Sequence, residues 1–471
     1  MTEKQDRHRR RGKSEVYESV RECAADLVYR VLENGAYANL LLEKQIARST
    51  FSGEDRRLLT EIVNGTVRMV KHLDEVLNLF LKGDVSSQNR WLRSVLRISA
   101  YQILFMDRVP EYAVVNDAVN IVANRAGKGL GRVVNGVLRN LLRQRGDLTR
   151  PGEQDGCLAA YYSHPEWMVD QFIDQYGMAQ ARTMLMFDNL PPAQTIRVNR
   201  LYCTPHQLAA DLAAEGIDAQ ISPNWPGALR AMAAKRPLSE SRAFKSGRFY
   251  LQSEAAMLAG IILNPAPGET VYDLCCGVGG KSTHLAEIMD NKGRIEAFDI
   301  YGHKIKLLMD NCRRLGIEIV EAHEADVTGL SPHLAPGSAV LLDAPCSGLG
   351  VLARRSDSRW KKSLEDLQEL PGLQSLMLAQ AARLVQMGGC LLYSTCTVNR
   401  GENEEVVKDF LKSHPHFQLK GFDRELEHFP LDPPDRQACG SGMFTLLPGK
   451  YDTDGMFFAL MKREDIGYEQ N

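Results

Sequence analysis

The sequence predicts a multidomain chain. An all-α domain occupies residues 1–150, a small α+β unit 157–245, and a C-terminal α/β domain with a mostly parallel, doubly wound sheet 246–471. Three observations carry this reading. Apolar residues recur at helical spacing through the first part, with no alternating stretch between them. Arg150-Pro-Gly-Glu-Gln-Asp-Gly156 is a breaker-rich boundary. From about Phe249 the chain changes to a strand–loop–helix rhythm, the signature of a parallel sheet covered by helices.

In the first part, Leu92, Val95, Leu96 and Ile103 share a helical face. Val114, Ala118 and Ile121 form a second face after Pro110, a residue suited to a helix start. Val133, Val137, Leu138, Leu141 and Leu142 form the last. In the middle part, Glu166–Tyr176 reads as helix, Gln194–Asn199 alternates like a strand, and Gln207–Glu215 is helical and closes at Gly216. In the last part, Thr270–Leu274 is a strand followed by a glycine turn and the helix Ser282–Met289. Arg294–Asp299 is the next strand, and its helix carries Ile305, Leu308, Cys312 and Leu315. Val340–Leu342 and Leu391–Tyr393 are two further strands. Between them lies a helix with Met377, Ala381, Leu384 and Val385 on one face. Ligands of such sheets bind beyond the carboxyl ends of the strands.

Composition narrows the function. Apolar residues make up 44% and charged residues 25% of the 471, which excludes a disordered or fibrous chain. The longest apolar run, Ala255–Leu263, is too short for a transmembrane helix. The polar, basic start is no secretory signal. The ten cysteines contain no C-x-x-C pair, which argues against a zinc or disulfide scaffold and for a reducing, cytoplasmic setting. The net charge of −2 hides an asymmetry. Residues 1–150 carry 26 Lys and Arg against 18 Asp and Glu, a net of +8, and the remainder carries 31 against 41, a net of −10. A basic N-terminal part meets a polyanion, or each part is merely soluble. The arm Arg7-His-Arg9-Arg10-Arg11-Gly-Lys13 can screen phosphates.

The first turn of the α/β part reads Asp273-Leu-Cys275-Cys276-Gly277-Val278-Gly279-Gly280-Lys281-Ser282. A P-loop fits at Gly280-Lys281-Ser282 but needs glycine where Cys275 stands. A dinucleotide fingerprint fits Gly277 and Gly279 but finds Ser282 at its third glycine. A nucleoside pocket without pyrophosphate needs a turn of close backbone approach and carboxylates after the following strands. Asp299 ends the second strand, 20 residues after Gly279, and Asp326 falls where the third should end. S-adenosylmethionine, with ribose, adenine and a cationic sulfonium but no phosphate, suits these acids better than NAD.

Two cysteines follow strands. Asp343-Ala-Pro-Cys346-Ser347 succeeds one, and Ser394-Thr-Cys396-Thr397 the next, so both stand at the ligand side of the sheet. Cys23, Cys157, Cys203, Cys312, Cys390 and Cys439 read as inert buried residues. No further Cys or His stands at ligand spacing around Cys346 and Cys396, so no metal is expected. A pyrimidine explains the pair. A thiolate adding to C6 makes C5 of cytosine nucleophilic enough to accept a methyl group, and an acid such as Asp343 near N3 shares a proton as charge develops.

At these residues the chain resembles the Nop/Sun family of RNA cytosine-C5 methyltransferases, and within it the members that act on 16S ribosomal RNA. Asp55-Arg-Arg57, Gly65-Thr-Val-Arg68 and Asn135-Gly-Val-Leu-Arg139 resemble the NusB-type RNA-binding domain fused in front of such enzymes. Thr453-Asp-Gly-Met-Phe-Phe-Ala459 resembles the family's last strand. The resemblance implies a Rossmann-like methyltransferase domain, S-adenosylmethionine as donor, no metal, and RNA or a partly assembled small ribosomal subunit as partner. It implies Cys396 as nucleophile, Cys346 in release of the product, and Asp343 in contact with base and cofactor. Cys275 to Lys281, Asp299, Asp326 and Asp343 would line the cofactor pocket, with Lys281 orienting the turn or Asp343. Arg354, Asp357 and Trp360 resemble a loop near the target base, and Arg9, Arg10 and Arg11 would meet RNA phosphates. A monomer suffices for this chemistry. The chain departs from the family's Cys-Ala-Ala-Pro-Gly-Gly-Lys at Gly277 and Val278, which loosens the turn. Two other readings stay open: an RNA-binding assembly protein with an inactive transferase domain, and a nucleotide-dependent dehydrogenase.

Overall fold

A computed structural model describes residue 17 and residues 19–146, 157–234 and 237–465. The arginines Arg9, Arg10 and Arg11 and the breaker-rich boundary Arg150–Gly156 lie outside the described residues. The chain divides into two compact units, Met1–Phe172 with Arg355–Lys361, and Ile173–Arg354 with Lys362–Asn471.

The first unit is helical. Its central helix, Arg90–Phe105, is capped by Asn89, whose side chain accepts from the Trp91 and Leu92 amides, and it buries nearly every residue from Trp91 to Ile103. Around it pack Val20–Asn34, Gly53–Arg68, Val70–Asn78, Glu111–Ala126 and Lys128–Gln144. Pro110 stands at the start of Glu111–Ala126, as expected. On the last helix Val137, Leu138 and Leu141 are buried as expected and Leu142 packs against the core, but Val133 is 41% exposed and Val134 is buried in its place. Residues 157–172 cluster with this unit rather than with the middle one.

A short segment far along the chain completes it. The Trp360 ring packs against the helical core, and its Nε1–H donates to the Val67 carbonyl at 2.8 Å. Lys361 Nζ donates to the Ala36 carbonyl at 2.9 Å, and Arg359 to that of Ser163 at 3.1 Å. Lys361 also pairs with Asp357 at 2.6 Å. Asp357 and Trp360 are thus placed as packing residues of the helical unit. Arg354 belongs to the other unit, where its Nε meets Asp454 at 2.5 Å.

The second unit holds two sheets. The smaller comprises β1 (Gln194–Val198), β2 (Ile217–Ile221), β3 (Ala228–Ala234) and β4 (Phe249–Leu251), all antiparallel, in the order β2-β3-β1-β4. Thr204 and Gln207 cap the helix Pro205–Ala214 reciprocally. β4 pairs with β1, so this sheet runs past the expected boundary at 245. β3 was not legible because its alanine-rich sequence lacks a clean alternation, and β2 and β4, at five and three residues, are too short to stand out.

The larger sheet comprises β5 (Thr270–Leu274), β6 (Arg294–Asp299), β7 (Val320–Glu324), β8 (Gly337–Asp343), β9 (Val385–Thr395), β10 (Phe417–Leu419), β11 (Met443–Leu446) and β12 (Met456–Arg463). Its order is β10-β12-β9-β8-β5-β6-β7, with β11 also on β12. β5 to β9 pair in parallel, and β10, β11 and β12 add an antiparallel side. Each strand alternates between two apolar clusters: Leu341 joins Leu258, Leu285 and Leu308, while Val340 and Leu342 join Leu378, Ala381 and Phe410. Helices therefore cover both faces. Val385, expected on the preceding helix, is instead the first residue of β9, because Leu364–Arg383 ends at Leu384.

Replacing Trp360 by Ala removes a half-buried ring and a hydrogen bond from the helical core. Urea unfolding followed by a probe in that unit is expected to show a loss of roughly 2–3 kcal/mol.

Candidate active site

Register brings the chemistry together. β8 and β9 pair in parallel with Asp343 opposite Ser394, so the residues that follow both strands leave the sheet at the same edge. There Cys346 Sγ and Cys396 Sγ stand 3.3 Å apart. Asp343 is held from two sides: Lys281 Nζ donates to its Oδ2 at 2.6 Å and Ser394 Oγ to its Oδ1 at 3.0 Å. Burial by itself would lower the pKa of Lys281, but the charges of Asp343 and Cys396 outweigh it and raise the pKa. The Cys346 thiol is pushed well above the ordinary range, first by its hydrogen bond to Cys396, then by burial and by the charges of Glu402 and Asp343.

The glycine turn lies beside them. Cys275, Gly277 and Gly279 all take positive φ, of 67°, 59° and 89°. Cys276 extends the pairing of β5 with β6 through its amide to Phe298. Gly279 is required: a Cβ there would meet Leu308 Cδ1 at 2.1 Å. The side of Gly277 is open, with nothing within 4 Å of a built Cβ. Val278 is exposed, and its carbonyl accepts from Asn311 Nδ2 at 3.0 Å, which ties the loop to the helix Gly302–Leu315. Burial raises the pKa of both the Cys275 and Cys276 thiols. Asp299 accepts from the Gly277 amide at 3.0 Å and the Tyr301 amide at 2.9 Å, and Lys304 lies 3.3 Å away. Asp326 is exposed and accepts from Thr328, which lowers its pKa.

Three residues escaped the sequence reading. Glu402 is fully buried beneath the cysteine loops, accepting from Ser347 and Asn399. Gln374 Nε2 joins it, bonding the Pro345 carbonyl at 2.9 Å and Glu402 at 3.0 Å. Arg197, on β1, reaches the Gly280 carbonyl at 2.5 Å and Thr283 Oγ1 at 2.9 Å, and pairs with buried Glu287 at 2.8 Å. It fastens the small sheet to the helix that starts at the glycine turn. In sequence, Arg400-Gly-Glu402-Asn-Glu404 looks like a solvated charge run, so no signal marked Glu402. Two of the cysteines taken as buried differ: Cys157 is exposed, and Cys390 is half-buried beside Lys420 Nζ at 3.8 Å. Away from the cysteines, Glu296, Glu321 and His323 also cluster, with Arg294 spanning the two carboxylates.

A family model for the 16S rRNA methyltransferase RsmB/F matches residues 260–462, one for the NusB family residues 18–143, and one for the RsmF/B-like ferredoxin-like domain residues 164–235. A probable ribosomal RNA small subunit methyltransferase B of Bacillus subtilis is 36% identical over 95% of this chain and 99% of its own length. The chain belongs to the RsmB/F family of 16S rRNA methyltransferases. A second RsmB/F relative, from Synechocystis, is 32% identical over 94% of this chain and 99% of its own. The crystal structure of PH0851 is similar along nearly the whole length, with a TM-score of 0.79 at 27% identity over 96% of this chain and 100% of that one. A structure of NSun6 from Pyrococcus horikoshii with SFG shares the fold, with a TM-score of 0.56 at 22% identity over 64% of this chain and 98% of that one.

Asp273 lies under the turn of this RsmB/F chain, fully buried, accepting from Ser282 Oγ at 2.5 Å. Burial raises its pKa from 3.8 to about 7. Between those values the folded chain holds a proton that the unfolded chain releases, so stability falls as pH rises from about 4 to 7. The difference in unfolding free energy, wild type minus Asp273→Asn, is expected to decline across that window and to level off above it, as followed by urea titration at each pH.

Proposed function

We propose that this chain transfers a methyl group from S-adenosylmethionine to C5 of a cytosine in 16S ribosomal RNA through a covalent Cys396–C6 adduct. The observation that carries this reading is the pair of thiols 3.3 Å apart at the ends of two adjacent parallel strands, beside a carboxylate fixed by lysine. A single cysteine serves as a packing residue in many sheets; two in contact at the ligand edge, with a nucleoside-type turn alongside, fit a pyrimidine substrate.

The residues present suit the donor. The open side of Gly277, the left-handed turn at Gly279 and the buried carboxylate of Asp299 form a cradle for a nucleoside, and Asp326 stands after β7 toward the same edge. Cys275, Cys276, Val278, Gly280 and Lys281 complete the turn. When bound, S-adenosylmethionine supplies an electrophilic methyl on a sulfonium. Cys396 as thiolate attacks C6, forming the S–C6 bond and moving the ring's electron pair toward C5. Asp343 contacts base and cofactor, held in place by Lys281 and Ser394. After C5 carries the methyl group, its proton leaves to a base, the electron pair re-forms the C5–C6 bond, and the S–C6 bond breaks. Cys346 assists that release. The NusB-like helical unit, with Arg9, Arg10 and Arg11, adds affinity for RNA phosphates. Arg354 stays a candidate RNA contact, and Asp357 and Trp360 act by shaping the segment that follows it. The reaction takes place in the cytoplasm on RNA or on a partly assembled small subunit.

Two variants test the assignment with labelled donor and unmethylated small-subunit RNA. Cys396→Ala is expected to abolish transfer and to leave no denaturation-stable protein–RNA band. Cys346→Ala is expected to accumulate such a band. The reverse pattern would make Cys346 the nucleophile.

A further inference from the structure

We propose that Glu402 is a positioning residue that locks the two cysteine loops together and directs the negative charge of the pair onto Cys396 rather than Cys346. The proposal rests on the two-thiol reading above. The buried Glu402 carboxylate accepts four hydrogen bonds. The Ser347 amide at 2.8 Å and Gln374 Nε2 at 3.0 Å meet Oε2, while Ser347 Oγ at 2.5 Å and Asn399 Nδ2 at 3.1 Å meet Oε1. Ser347 directly follows Cys346, and Asn399 lies three residues after Cys396. Tyr393 Oη also donates to the Glu402 carbonyl at 2.7 Å, which ties the same residue to β9.

Hydroxyl bookkeeping gives the network a direction. Ser347 has one hydroxyl proton, and Glu402 takes it. The 2.7 Å contact between Ser347 Oγ and Thr397 Oγ1 is then a donation from Thr397. Ser347 and Thr397 are the residues immediately after the two cysteines. The chain Thr397→Ser347→Glu402 therefore runs across the gap between the loops and ends on a group that must accept at every position. Glutamine would turn an NH2 toward at least one donor, so the site calls for a carboxylate and not merely for an amide of its shape.

The four donors that meet Glu402 among the described residues, from Ser347, Gln374 and Asn399, are all neutral. The groups facing the pair differ on its two sides. The Cys346 proton is held on first by the hydrogen bond to Cys396 and by burial, and then by the charges of Glu402 and Asp343. Lys281, paired with Asp343 at 2.6 Å, is the cation whose charge also acts on Cys396. Either sulfur can donate in the 3.3 Å contact. With the charges of Glu402 and Asp343 on its side Cys346 keeps its proton and donates, which leaves Cys396 as the acceptor and the more thiolate-like sulfur.

Alkylation reads this without RNA or donor. The full-length protein is treated with limiting neutral iodoacetamide near pH 7.5, and Cys346- and Cys396-containing peptides are quantified by mass spectrometry over time. In the wild type, Cys396 is expected to react about tenfold faster than Cys346. Glu402→Gln is expected to bring the two rates within about threefold, and Glu402→Asp, which keeps the charge, to retain the preference. Equal rates or faster Cys346 in the wild type would overturn the proposal, as would a folded Glu402→Gln protein with the wild-type preference. Should Glu402→Gln fail to fold, the wild type and Glu402→Asp decide, and loss of preference in Glu402→Asp counts against it. The adduct pattern of the cysteine variants tests the catalytic reading separately, so failure of one is distinguishable from failure of the other.

Discussion

The parallel register of β8 on β9 is the constraint on which the site depends. Parallel strands point their carboxyl ends the same way, and the Asp343–Ser394 pairing aligns those ends. Cys346 and Cys396, fifty residues apart in the chain, therefore meet. A slip of one residue would turn Leu341 and Leu342 to the wrong clusters, so the apolar alternation that builds the core also sets the distance between the thiols.

Around that pair the chain uses buried charges sparingly and partners each in its own way. Asp343 has a lysine; Glu402 accepts from neutral donors; Asp273, buried beside Ser282, has its pKa raised instead. Arg197 and Glu287 form a buried ion pair that joins the small sheet to the helix after the glycine turn. Removing one partner of such a pair leaves a buried charge unmatched, which costs far more than the intact pair contributes. The glycine turn is thus braced from behind by a buried pair, because Arg197 also bonds the Gly280 carbonyl.

Much of the fold was legible because the α/β part advertises its periods. β5, β6, β8 and β9 fall where apolar runs meet glycine turns and acids. The cysteines stood out because they follow strands in polar loops. What was not legible depends on contacts between distant residues. Glu402 sits in a charge-rich stretch that resembles solvent-facing helix, and only the fold carries it under the loops. Trp360 lies in a loop sequence beside Arg354 and Asp357, yet its ring belongs to the helical core, because a large apolar surface is placed by what it can bury and not by its sequence neighbours. Val385 shows the usual one-residue uncertainty of an element boundary, and Val133 is a single misplaced position on a face otherwise buried as expected.

The central claim is that the sulfur of Cys396 bonds to the pyrimidine. A 16S RNA fragment carrying 5-fluorocytidine blocks release, because fluorine on C5 cannot leave as a proton does. Incubation of the wild-type protein with this RNA and S-adenosylmethionine, followed by digestion and tandem mass spectrometry, identifies the residue attached to the ring. The account expects a single cross-linked peptide with the nucleotide on Cys396. Attachment to Cys346, or no covalent complex with an RNA that the protein methylates in its unfluorinated form, would contradict it.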